Sequence, residues 1–111
     1  MLSAEAFDIL DLVTEDSYGL WEIAAVFKDR HRDRTASKAL SLAQATAIEL
    51  LADGLVALWS QPDVGSEEVL VPPEVARAAL MEGARWEWPT GPGPMLRLLA
   101  TEAGIRAYYS S

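Results

Sequence analysis

Residues 47–59 read Ala47-Ile48-Glu49-Leu50-Leu51-Ala52-Asp53-Gly54-Leu55-Val56-Ala57-Leu58-Trp59, and this stretch decides the architecture. Apolar residues keep helical spacing up to Leu50. Gly54 then stands where a helix needs a left-handed residue to stop, and the five residues after it are β-friendly in composition. A helix ends here and a strand begins. Upstream, Ala36, Leu40, Ala43, Ala47 and Leu50 recur at steps of four and three, which predicts a helix over 36–53 with this stripe buried and Thr35 or Ser37 as its cap. Its complementary positions, Ser37, Lys38, Ser41, Gln44 and Ala45, are small or polar and form a smooth outer surface.

Moving toward the N-terminus, Leu20, Ile23, Ala24 and Phe27 mark a helix of about three turns that ends in the charged run KDRHRDR. Before it, the segment Asp16-Ser17-Tyr18-Gly19 breaks the pattern, with room for a short strand at Tyr18. A first helix over 3–15 carries Ala6, Ile9, Leu10 and Val13 on one face and Glu5, Asp8, Asp11 and Glu15 on another, with Ser3 as its cap. Moving toward the C-terminus, 61–68 is a turn and 69–71 a short apolar run. Pro73 suits the first turn of a helix over 73–82 that Gly83 would end. Trp86-Glu87-Trp88 alternates like a strand, 90–94 (TGPGP) is a punctuated loop, and 95–99 resumes a strand pattern. Thr101 caps a last helix from which Ala103, Ile105 and Tyr109 can pack inward.

The order helix, short strand, helix, helix, strand, strand, helix resembles the winged helix-turn-helix domain of bacterial transcriptional regulators. Two stretches carry the resemblance. Residues 47–56 look like a recognition helix closing on Gly-Leu-Val, and Leu99-Ala100-Thr101-Glu102-Ala103-Gly104 looks like a second wing strand entering the terminal helix. Ser17-Tyr18-Gly19-Leu20-Trp21-Glu22-Ile23 is loosely similar to the start of helix two in regulators of the phenolic-acid-decarboxylase type, with one extra residue between Gly19 and Glu22. The long C-terminal dimerisation helix of that type has no counterpart after Tyr109. The resemblance spans about 3–60 and 95–110, and it implies an α+β, mainly α fold with a helical insertion in or after the wing, over a single domain 1–111. Two pairings remain open for 61–94. A wing of 55–59 with 95–99 makes the segment an insertion, and this matches the family better; a wing of 55–59 with 69–71 makes it an extension.

Composition narrows function. With 111 residues, 50% hydrophobic and 23% charged, the chain suits one globular domain that needs no staple. It has no Cys and one His, His31, so zinc ribbons, thiolate chemistry and a His-rich metal site are excluded, any metal chemistry would have to rest on carboxylates, and the expectation is no cofactor and no metal. No nucleophile elbow, phosphate-binding loop or dinucleotide fingerprint is present, so the reading is not an enzyme. Asp8, Asp11 and Glu15 read as solvated surface and His31 as an exposed loop residue. With no apolar run of membrane-spanning length and no signal-like start, a soluble cytoplasmic protein is expected.

The net charge of −8 is unevenly spread. Residues 1–27 hold six acids and no base, 28–38 hold five bases against two acids, and 39–111 hold nine acids against four arginines. Any polyanion must therefore meet 28–38, unless these bases pair with the acidic first helix. The resemblance implies that Ser37, Ser41 and Gln44 read DNA base edges while Arg30, Arg32, Arg34 and Lys38 hold phosphates, in a homodimer on two half-sites. Against DNA stand the acids Asp63, Glu67 and Glu68 in the wing region and the overall charge. The alternative is a winged-helix module that binds protein, with Trp86 and Trp88 as anchors. Trp21 and Trp59 are expected to fill the core.

Overall fold

The computed structural model describes residues 2–62, 65–89 and 94–111. Helix α1 (Ala4–Val13) starts where the Ser3 hydroxyl accepts the Ala6 N–H at 3.1 Å, and it buries Ala6, Ile9, Leu10 and Val13. Strand β1 (Tyr18–Gly19) leads directly into α2 (Leu20–Arg30), which is tied at its start by the Gly19 N–H donating to Glu22 Oε1 at 2.9 Å. Helix α3 (Ala36–Ala52) begins at Thr35, whose hydroxyl accepts the Lys38 N–H. It ends in the closure expected of a glycine stop: Gly54 has φ +73, its N–H meets the Leu51 carbonyl, and the Leu55 N–H meets the Leu50 carbonyl.

Strand β2 (Val56–Gln61) then runs to β3 (Val69–Leu70), followed by α4 (Pro73–Met81), a 3-10 turn at Gly83–Trp86, β4 (Met95–Ala100) and α5 (Glu102–Tyr109). The sheet is antiparallel, in the order β1-β4-β2-β3. β4 pairs β2 over six residues, from Val56 with Ala100 to Gln61 with Met95, whereas β3 pairs only Trp59 and Ser60. The long hairpin is thus β2 with β4, and β3, α4 and the 3-10 turn lie between its strands in sequence. The fold is α+β and mainly helical. Its core lies between one sheet face (Val56, Leu58, Leu98) and the apolar sides of α1, α2 and α3.

Several expectations change for identifiable reasons. In a strand, successive side chains alternate, so with Val56 and Leu58 inward Trp59 takes the other face and is half-buried. Trp21 is also half-buried, because Leu20, Ile23 and Phe27 take the inner side of α2. The buried line of α3 is Ala39, Ala43, Thr46, Ala47 and Leu50, leaving Ala36 exposed and Leu40 half-buried. Residues 86–88 form no strand, since Trp86 closes a 3-10 turn that brings its indole back onto α4. α4 ends because Glu82 turns extended, without a left-handed Gly83. In α5 Gly104 is buried while Ile105 and Tyr109 are exposed. His31 is half-buried as the cap of α2, its ring 5.3 Å from that of Phe27. Most of the expected 90–94 loop, and Asp63, lie outside the described residues.

Candidate functional site

The basic segment is only partly available to a partner. Arg30 leaves the last turn of α2 and pairs with Asp8 on α1 at 2.9 Å, with Asp11 at 3.9 Å. Arg32 pairs with Asp29 at 2.5 Å, and this bond, with the attraction of the carboxylate, holds the guanidinium pKa above its usual value. Both partners are largely exposed, and such surface pairs contribute little to stability. Ser37, Lys38 and Ser41 stand exposed on α3 with Arg34 just before it, and the Arg34 and Lys38 side chains have no ion pair among the described residues.

Gln44 is placed differently from its sequence reading. Its amide donates to the Leu80 carbonyl at 3.1 Å, and the Trp86 indole N–H donates to the same oxygen at 3.0 Å. Leu80 lies in the last turn of α4, where carbonyls lack intrahelical partners. Gln44 and Trp86 supply them, and so fasten α4 to α3. Trp86 is 3% exposed and serves as packing, whereas Trp88 is 71% exposed.

Trp88 is held by an edge contact with Trp21, ring centroids 5.9 Å apart and planes at 82°. The Trp21 ring in turn folds back over Gly19, where a Cβ would come within 2.2 Å of it. These two indoles border a groove of about 970 Å³ whose apolar lining includes Ala24, Ala25 and Val26 of α2, Ala36 and Leu40 of α3, and Trp86. At one end Arg97 is engaged: it donates to the Ser17 hydroxyl at 2.9 Å and carbonyl at 2.8 Å, and lies 3.8 Å from Glu22. At the margins Lys28 and Glu87 have no ion pair among the described residues. The groove therefore offers apolar area with two uncommitted charges of opposite sign.

Sequence reasoning named Trp86 and Trp88 but missed Trp21, Ala24, Ala25 and Lys28 as one surface. The signal was present, because positions 21, 24, 25 and 28 form a helical stripe beside the buried line 20, 23 and 27. Elsewhere, Phe7 stacks on Tyr108 at 5.0 Å, and the Tyr108 hydroxyl donates to Asp11 at 2.5 Å. That bond, ahead of burial and the Asp11 charge, raises the Tyr108 pKa. Among the described residues no three His, Asp or Glu side chains gather to hold a metal, and no helix is long and apolar enough to cross a membrane. Comparison with protein-family models, curated proteins and solved structures finds no match.

Proposed function

We propose that the chain is a non-catalytic module of winged-helix type that binds a protein partner in its tryptophan-bordered groove. The element order and the β1-β4-β2 strand order support the winged-helix reading, with β2 and β4 as the wing and β3 to the 3-10 turn as an insertion. One observation carries the functional part. The insertion docks α4 on α3, consumes the amide of Gln44, and places Trp88 over α2. A segment that covers one side of α3 while exposing a large indole favours an aromatic docking surface over entry of α3 into a DNA groove. The exposed acids Glu67 and Glu68 on the wing side, and the net charge of −8, act in the same direction.

DNA binding is the second reading, favoured by exposed Ser37, Lys38 and Ser41 beside Arg34, which has no ion pair among the described residues. The test introduces a photo-crosslinking residue at Ala25 or Glu87, with Glu49 on the open face of α3 as control, in cells that natively make the protein. A protein crosslinked from the groove positions is identified and purified, and its affinity is measured. Trp88→Ala should weaken it at least about 30-fold, as for a hot-spot residue. Retention of genomic fragments at low salt, with a salt slope that falls by about two when Arg34 and Lys38 are both changed to Ala, would overturn this reading in favour of DNA.

A further inference from the structure

Resting on the groove reading above, we propose that the groove's occupant is an amphipathic helix of another protein, about two turns of which lie along α2 with a carboxylate opposite Lys28. The dimensions point to a helix. The stripe of α2 that borders the groove runs from half-buried Trp21 and Ala24 to exposed Ala25 and Lys28, eight residues whose seven steps give about 10.5 Å of helix rise. Its middle consists of two alanines, so a second backbone can approach closely, and Leu40 of α3 lines the same groove. A channel with small residues along its length and large indoles at one end accepts apolar side chains spaced i, i+3 or i+4, and i+7.

The charges select the partner's chemistry. At the Trp21 end, Glu22 and Arg97 are committed to Gly19, to Ser17 and to each other. Lys28, at the far end of the stripe, has no ion pair among the described residues, and its ammonium at the border of an apolar groove is complemented by an acidic side chain. Glu87, adjacent in sequence to Trp88, also has no ion pair among the described residues and offers the reciprocal site for a basic one. An acid at one end of the apolar stripe and a base at the other is the expected pattern.

The test is selection of a phage-displayed library of 16-residue peptides against the full chain, followed by affinity measurement of enriched peptides for wild type, Lys28→Glu and Trp88→Ala. Circular dichroism checks that both variants, which change exposed side chains, remain folded. The expected result is enrichment of helical apolar spacing with Asp or Glu at one end. Trp88→Ala should weaken binding at least tenfold, and Lys28→Glu should weaken the acidic peptide at least tenfold while improving its lysine-substituted counterpart. Peptides that lose affinity with Trp88→Ala but are extended, or indifferent to Lys28→Glu, overturn the helix proposal and leave the groove reading standing. Enrichment that ignores Trp88→Ala overturns both, as does failure to enrich any peptide. Self-association in sedimentation that Trp88→Ala abolishes would assign the groove to a second copy and overturn the proposal.

Discussion

Gly104 lies directly against the backbone of Leu55: a Cβ at position 104 would stand 1.9 Å from the Leu55 carbonyl oxygen. That oxygen also accepts the Thr101 N–H at 3.0 Å, and the Thr101 hydroxyl donates to the Gly54 carbonyl at 2.7 Å while accepting the Gly104 N–H. The exit of α3 and the entry of α5 are therefore one joint. Gly104→Ala sets a methyl against backbone that cannot rotate away, and should lower stability by about 1–3 kcal/mol or more. Gly83→Ala is the control, since its Cβ would meet only the end of Leu40 at 3.9 Å, and it should stay within about 0.5 kcal/mol. Urea midpoints for the two variants check this, and equal midpoints would refute the close approach.

Leu50 and Leu40 belong to one sequence stripe but to different environments. Leu50 is 2% exposed in the core, whereas Leu40 is half-buried at the groove. Leu50→Ala should cost about 2–5 kcal/mol. Leu40→Ala should cost below about 2 kcal/mol, because less area is removed from water on folding. Comparable losses in thermal or denaturant unfolding would mean that the groove is closed over Leu40.

Two donors on one carbonyl predict non-additivity. Either Trp86→Phe or Gln44→Leu leaves the Leu80 oxygen one partner, while the double variant leaves a buried carbonyl with none. The double variant should exceed the sum of the single losses by about 0.5–3 kcal/mol. A double-mutant cycle measures this, and simple additivity would show that the two bonds do not share an acceptor. Trp88→Ala, at a largely exposed position, should change stability by less than about 0.5 kcal/mol.

Tyr108 is expected to lower stability at alkaline pH. Its pKa is raised above the usual value of 10.0 chiefly because its hydroxyl donates to the Asp11 carboxylate. A group whose folded pKa is raised contributes stability that is complete below the unfolded value and is lost as pH rises through the folded one. Wild type should therefore be more stable than Tyr108→Phe near neutrality, and the gap should close above about pH 10. Unfolding midpoints from about pH 8 to about pH 11 test the sign, and parallel curves would contradict it.

What the sequence by itself determined was local. The closure at Gly54, the caps Ser3 and Thr101, and the inward line of α1 follow from backbone freedom, donor geometry and helical period, all of which act within a few residues. The sequence left Thr35 and Ser37 as equal candidates for the cap of α3, and it set Ala24 on the inward line of α2, where it is only half-buried. The candidate site was legible only in pieces. Trp86 and Trp88 stood out as two equal anchors, yet one indole caps α4 and the other is open, because that choice depends on an acceptor six residues upstream and on a ring 67 positions away. Gln44 read as a base contact because the winged-helix resemblance implies that role for its position on α3. Packing of α4 gave its amide a carbonyl to satisfy, and no periodicity in α3 encodes where another helix will dock. The rotation of α5 was likewise settled by Gly104 against Leu55, a contact 49 residues apart in sequence. Spacing tells which side chains share a face, but only the packed chain decides what that face meets.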